Sequence, residues 1–354
     1  MTAAGPPRAG FLQPCVTKLI TKYNMRTTMK KHRHASRRTL LAAALCTVIY
    51  APARAEAPYP NRPIKIVVAF APGGGSDFIA RLLAQKMGER LGQPVIVENR
   101  PGAGGNVGAS MALKAPPDGY TLLLAAASYT VNPALYKLSF DPLKDITPIA
   151  QLARGPFLIA VNPQVPAKNL QELVTLARQA PNRLSYASAG TGSIVQIATE
   201  YFLDVTGSEM LHVPYKGTSP ALTDTIAGQT QVVFGTVAST LPFAKSGQLR
   251  VLAVTTPGRL PALPDVPTTA EAGFPGYTVT NWHGIVGPKG MPQDVVARLN
   301  KAINESLQAP GMDKGMASDG LAAAGGTPAA FGTLLEQEMA RWQALVRKRG
   351  IKVE

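Results

Sequence analysis

Ile64-Lys-Ile-Val-Val-Ala-Phe-Ala-Pro-Gly-Gly-Gly-Ser-Asp77, followed by Phe78-Ile-Ala-Arg-Leu-Leu-Ala-Gln-Lys-Met-Gly-Glu-Arg-Leu91, reads as a buried strand, a glycine loop and an amphipathic helix. Ile66, Val67, Val68 and Ala69 form a short apolar run rich in β-branched residues, as a buried strand requires. Gly73, Gly74 and Gly75 allow positive φ and let a ligand approach the main chain closely. Ser76 and Asp77 are suited to cap a helix, and Ile79, Leu83, Met87 and Leu91 recur every four residues on one face of it. A helix N-terminus exposed at the end of such a strand offers free N–H groups and a positive dipole end, which suits an anion. The same stretch is also compatible with a βα turn that only reverses the chain.

Upstream, Lys30, Lys31, Arg33, Arg37 and Arg38 precede an apolar run from Leu40 to Tyr50, and Ala53-Arg-Ala55 follows. That order predicts a secretory signal peptide cleaved after Ala55. The apolar run is shorter than the roughly 20 residues of a membrane span. Ser36-Arg-Arg-Thr-Leu-Leu41 resembles a twin-arginine signal, and Cys46 lacks the small preceding residue of a lipoprotein site.

The chain has 354 residues and a formal net charge of +15, yet ten of its 36 Lys and Arg lie in residues 1–55, where there is no Asp or Glu. The remainder carries 26 basic and 21 acidic residues, a net charge near +5. The strong basic character therefore belongs to the leader, and nucleic-acid binding loses its main support. A modest positive excess still favours anionic ligands. Both cysteines, Cys15 and Cys46, are in the leader, so the exported chain has neither disulfide nor thiol chemistry. Roughly 300 residues at about 100–200 per domain predict two domains.

Strand and helix patterns alternate along the rest, which predicts α/β layers. Val95–Glu98 is a strand that opens into a second glycine loop, Asn99-Arg-Pro-Gly-Ala-Gly-Gly-Asn106. A short helix follows through Met111 to Lys114, and Tyr120–Ala125 is a strand running out into Ser128, Tyr129 and Thr130. Leu158–Val161 and Leu184–Ser188 read as strands, with a helix over Asn169–Ala180 between them. After Ser188 comes Ala189-Gly-Thr-Gly-Ser193 and a helix from Ile194 to Val205, the same strand, Gly/Ser loop and helix order as at Phe70–Asp77. Further strands are expected at Leu211–Val213, Val232–Phe234 and Val251–Val254, with a helix from Pro220 to Ala227. Pro261–Pro267 and Pro275 read as crossing linkers, and Pro292–Leu307 and Pro328–Arg349 as helices.

An inventory of reactive side chains disfavours an enzyme. Outside the leader the histidines are His212 and His283, and there is no H-E-x-x-H and no G-x-S-x-G. His212 sits in an apolar strand and reads as a core histidine, whereas His283, beside Trp282, is a candidate for a pocket wall. Gly73–Ser76 lacks the Gly-Lys-Ser/Thr ending of a P-loop, and Gly102 to Val107 and Gly190 to Val195 miss the third glycine of a dinucleotide fingerprint. No catalytic residue, metal site or cofactor is expected. What remains is a cleft rich in backbone donors and hydroxyls, which describes recognition rather than turnover.

Val68-Ala-Phe-Ala-Pro-Gly-Gly-Gly-Ser-Asp77, Glu98-Asn-Arg-Pro-Gly-Ala-Gly-Gly105, Ala187-Ser-Ala-Gly-Thr-Gly-Ser193, His212-Val-Pro-Tyr-Lys-Gly217 and Leu263-Pro-Asp-Val-Pro-Thr268 together resemble the Bug family. These are the TctC-like periplasmic solute receptors of tripartite tricarboxylate transporters, and the resemblance covers essentially all of the chain after the leader. It implies a type II periplasmic-binding-protein fold: two α/β lobes joined by two crossover segments, closing like a Venus flytrap on a small carboxylate in the cleft between them. Lobe 1 would comprise 56–155 and 281–354, lobe 2 would comprise 156–280, and residues 1–55 would be the N-terminal extension and signal peptide. The ligand class would be a di- or tricarboxylate, an acidic amino acid or an aromatic acid, the partners would be membrane permease subunits, and the receptor a monomer.

Carried over residue by residue, the resemblance implies that Phe70, Ala71, Pro72, Gly73, Gly74, Ser76 and Asp77 form the first-lobe part of the pocket. Ser188, Gly190, Thr191, Gly192 and Ser193 would form the second-lobe part, holding the carboxylate through N–H groups, hydroxyls and bridging water. Ser128, Tyr129, Tyr215 and Trp282 are further candidate contacts. Gln196, where many members carry His, and Gly235, where they carry Asp or Asn, would lie near the far end of the ligand and leave its identity open. A periplasmic sensor that presents its ligand to a sensor kinase uses the same closure. An exported hydrolase with Asp77 or Glu98 as base is the remaining alternative.

Overall fold

The computed structural model describes residues 58–353. The expected signal peptide and its cleavage site after Ala55 lie outside the described residues. The elements are, in order, β1 (Ile64–Val68), α1 (Gly75–Leu91), β2 (Val95–Asn99), α2 (Asn106–Leu113), β3 (Thr121–Ala126), α3 (Ser128–Leu135), β4 (Ile146–Val161), α4 (Leu170–Gln179), β5 (Ser185–Ser188), α5 (Ile194–Thr206) and β6 (Leu211–Pro214). They continue with α6 (Thr218–Ile226), β7 (Val232–Thr236), α7 (Val237–Lys245), β8 (Arg250–Val254), β9 (Thr280–Pro288), α8 (Gln293–Leu307), α9 (Met312–Ser318), β10 (Ala322–Gly325) and α10 (Pro328–Arg349). Among the described residues no helix is long and apolar enough to cross a membrane.

The strands run β2-β1-β3-β9-β4-β7-β5-β6, with β8 and β10 also pairing with β4. In the first lobe β1 lies parallel between β2 and β3, and β9 is antiparallel to β3. In the second, β5 is parallel to β6 and β7, and β4 is antiparallel to β7 and β8. From Ile66 onward β1 is apolar on both faces because both are covered, as befits a central parallel strand, while Lys65 at its start is exposed. Ile64, Ile66 and Val68 pack with Leu83 and Met87 of α1 and Leu299 of α8. Val67 faces the other way, toward Ala109 of α2 and Phe331 and Leu335 of α10. The second core gathers Phe157, Ile159, Tyr186, Phe202, Phe234 and Tyr277.

The chain crosses between lobes along β4 and into β9. Up to Pro156, β4 pairs with β9 of the first lobe, and from Phe157 onward it pairs with β7 and β8 of the second. Pro261–Pro267, read from sequence as a crossing linker, is instead packed on the second lobe. Leu260, Leu263 and Val266 cover Leu158, Val237 and Val254, and Val254 N donates to Pro267 O. The C-terminal helix supplies a third tie between the lobes. Phe331, Leu335 and Met339 belong to a first-lobe core, whereas Trp342, Leu345 and Val346 are buried in the second. Its end is fastened by Arg349, which donates to both Glu209 oxygens at 2.7 and 2.8 Å and to Glu200 Oε2 at 2.8 Å.

Candidate functional site

Between the lobes lies a cavity of about 830 Å³, inside the size range of small-molecule sites. Its wall is assembled from helix beginnings. Gly75 and Ser76 open α1, Ser128 opens α3, Ser193 and Ile194 start α5, Thr218 and Ser219 start α6, and Ala238 and Ser239 start α7; all of them line the cavity. The first N–H groups of a helix have no partner inside it, and the peptide dipoles place partial positive charge there. Among the described lining residues there is no lysine or arginine. What positive character the wall has therefore comes from backbone N–H groups.

Both Gly/Ser loops are held by the same device, a side chain four residues on that accepts a loop N–H. In the first, Gly73 N donates to Asp77 Oδ2 at 2.9 Å. Arg81 Nε donates to the same oxygen at 3.0 Å, and Asn99 Nδ2 donates to Asp77 Oδ1 at 2.9 Å and Phe70 O at 3.1 Å. These contacts, the Arg81 hydrogen bond first, lower the Asp77 carboxyl to about 2. In the second loop, Gly192 N donates to Gln196 Oε1 at 2.7 Å. That fixes the amide orientation, so Gln196 Nε2 donates to His212 Nδ1 at 3.2 Å and His212 Nε2–H faces Ser188 Oγ at 2.7 Å. Gly73 (φ +84°) and Gly192 (φ +80°) both sit in the left-handed region that an L side chain avoids.

The structure brings Phe70, Gly73, Gly74, Ser76, Ser128, Thr191, Gly192 and Ser193 together on the cavity wall. The other sequence candidates lie elsewhere. Ala71 and Pro72 are exposed on the loop but outside the lining. Asp77, expected with Ser76 to cap the helix, sits behind the loop in the third position of α1, and the capping position is Gly74. Gln196 and Ser188 are likewise buried behind the second loop, and Gly190 N packs back on Ser188 Oγ. Tyr129 is buried with its hydroxyl donating to Pro142 O, and Tyr215 donates to Asp224 Oδ2. Trp282 is wholly buried and its Nε1 donates to Glu338 Oε2 at 2.7 Å, a contact between β9 and α10. Gly235, expected to widen the far end of the pocket, faces protein: a Cβ there would lie 1.9 Å from Thr240 Oγ1.

Sequence reasoning missed part of the wall. Thr236 and Ser239 belong to an unforeseen helix, α7, whose Pro242 masked the helical pattern; Thr236 caps it, accepting from Ser239 N. The capping pair Thr236/Ser239 is the signal that could have found it. Ser128, Tyr129 and Thr130, read as a strand's run-out, begin α3 instead, and Asn132 of the same helix ties Gly104 of the other glycine loop by donating to its carbonyl at 2.9 Å. Asp319 and Asn281 also line the cavity, and no local motif announces them.

His283 is the expected pocket-wall histidine. It is 4% exposed, with Nε2 3.0 Å from Ser76 Oγ and Nδ1 without a partner. Burial pushes its pKa down to about 4, so the ring is neutral at neutral pH. Among the described residues no group of three or more His, Cys, Asp or Glu could hold a metal ion.

Comparison with known proteins agrees with this fold. The family model described as tripartite tricarboxylate transporter family receptor matches residues 79–351. The periplasmic binding protein BugD is 35% identical, with a TM-score of 0.70 over 83% of this chain and 100% of BugD. Rpa4515 of R. palustris, solved with adipate, is 34% identical at a TM-score of 0.72, covering 83% of this chain and 100% of that one. MatC of Rhodopseudomonas palustris, solved with bound malate, is 32% identical at a TM-score of 0.68, covering 81% and 100%.

Proposed function

The chain belongs to the tripartite tricarboxylate transporter receptor family, and from that membership we propose that it is a periplasmic receptor that captures a small carboxylate and delivers it to membrane permease subunits. The observation that carries this reading is the convergence of helix N-termini from both lobes on one cavity whose described lining has no lysine or arginine. A carboxylate there exchanges water for charge-assisted bonds from backbone N–H groups and hydroxyls. Adipate in Rpa4515 and malate in MatC are both carboxylates, which supports the same ligand class here.

Ser76 and Ser193 would make the two decisive contacts, one from each lobe. With the ring proton on Nε2, His283 donates to Ser76 Oγ and leaves the hydroxyl hydrogen free for the ligand. Ser193 Oγ accepts from Gln196 N at 3.3 Å, which also leaves its hydrogen free. Because the loops belong to different lobes, a ligand that touches both favours the closed arrangement, and bending where β4 and β9 cross is the hinge motion expected. Native mass spectrometry of the protein isolated from periplasm tests the reading. A retained small acid of unchanged mass is expected; a chemically altered one would favour a hydrolase.

A further inference from the structure

The formal charge on the cavity wall is of the wrong sign for a simple anion trap. Among the described lining residues, which include neutral His283, the charged group is the carboxylate of Asp319. Among the described residues Asp319 has no side-chain hydrogen bond and no ion pair, and burial raises its pKa with no cation to offset that. Its position is fixed from two sides. Against the first lobe, Oδ2 lies 3.0 Å from where a Cβ on Gly75 would stand, at the first residue of α1. The next residue, Gly320, is wedged at the crossing: a Cβ there would fall 2.1 Å from Val237 Cβ at the start of α7, and one on Gly155 would fall 2.4 Å from Gly320 O. Asp319 is therefore held at the base of the cleft, between the N-termini of α1 and α7.

A carboxylate at that point is partly desolvated, draws on the same positive helix ends that would hold a ligand's acid, and contributes nothing to binding an unsubstituted acid. It becomes favourable when a ligand brings a donor to it. We infer that Asp319 is the specificity-determining residue of the cleft, accepting a hydrogen bond from an ammonium or hydroxyl group that the ligand carries beside its carboxylate. This rests on the receptor reading above. The helix N-termini hold the acid, and Asp319 reads the substituent, a cation more strongly than a neutral donor because the bond is then charged on both sides.

The test uses sets of acids that share a carbon skeleton and differ only in bearing hydrogen, hydroxyl or ammonium: succinate, malate and aspartate, and the equivalent sets at other chain lengths. Ligand-stripped protein, Asp319→Asn and Asp319→Ala are titrated calorimetrically, and melting temperatures confirm folding. The substituted acids should bind wild type roughly 10- to 100-fold more tightly than the unsubstituted one. Asp319→Ala should abolish that preference, and Asp319→Asn should abolish the advantage of ammonium over hydroxyl. Equal affinity across a set for wild type, or a preference that survives Asp319→Ala, would overturn the inference while leaving the receptor reading intact. The same holds if Asp319→Ala changes only the melting temperature, since Asp319 would then serve α1 alone. Failure of wild type to bind any acid in the sets would overturn both.

Discussion

His283 Nε2 lies 3.0 Å from Ser76 Oγ, joining the second crossing strand to the first residues of the glycine-loop helix. The contact places a buried, neutral histidine directly behind a hydroxyl on the cavity wall. On the proposed reading, it would make the ligand contact of one lobe sensitive to a strand that crosses between the lobes.

That histidine gives a pH signature. Its folded pKa of about 4 is below the ordinary 6.5, so the unfolded chain takes up the proton first. Its contribution to stability is complete above about pH 6.5 and is lost as pH falls toward 4. His283→Gln should flatten the stability profile across that window, as followed by urea denaturation at stepped pH. An unchanged profile would mean that the ring is not buried as described.

Asp77 titrates in a lower window. Its carboxyl is depressed from 3.8 to about 2, so the stability it provides is present above about pH 4 and lost as pH falls through 2. Asp77→Ala leaves Gly73 N without its acceptor, takes one of two acceptors from Asn99 Nδ2, and should cost about 1–3 kcal/mol. Ligand affinity should fall with it, because the loop loses its brace. Normal affinity in this variant would show that the loop needs no bracing.

Ser193 caps α5, and on the proposed reading the same hydroxyl also donates to the ligand. As the cap of α5 its removal should cost about 1 kcal/mol of stability. As a donor to the bound acid its removal should weaken binding roughly 10- to 100-fold. Melting temperature and affinity measured on Ser193→Ala separate the two; a lower melting temperature with unchanged affinity would leave only the cap.

Arg349 fastens the C-terminal helix to the second lobe. Arg349→Ala leaves Glu200, still bound by the Tyr186 hydroxyl at 2.5 Å, without its cation. Breaking such a partly buried network should cost about 1–3 kcal/mol. Urea denaturation measures it, and a loss below about 0.5 kcal/mol would show that the apolar residues Trp342, Leu345 and Val346 hold the helix alone.

The paired strand, loop and helix units were legible because their signals are local: an apolar run, glycines, then Ile79, Leu83 and Met87 at helical spacing. Most of the candidate residues that do face the cavity followed from the same units, Ser128 being the exception. The rest depended on distant contacts. Nothing near Trp282 announces Glu338, and Thr240 meets Gly235 only because the chain between them turns into α7, whose helical pattern Pro242 masks, so both positions read as open to a ligand when each is filled by protein. The long β4 was seen only at its Leu158–Val161 end, because Pro148, Gly155 and Pro156 interrupt the apolar run of a strand that changes partners midway.

The claim that helix N-termini and hydroxyls recognise a carboxylate is tested most directly by titrating ligand-stripped protein with an acid and with its methyl ester, which keeps the carbon skeleton, adds one methyl group and removes the charge. Calorimetry should show one site per chain for the acid and at least about 10-fold weaker binding of the ester. Equal affinity for the ester and the acid would contradict the account.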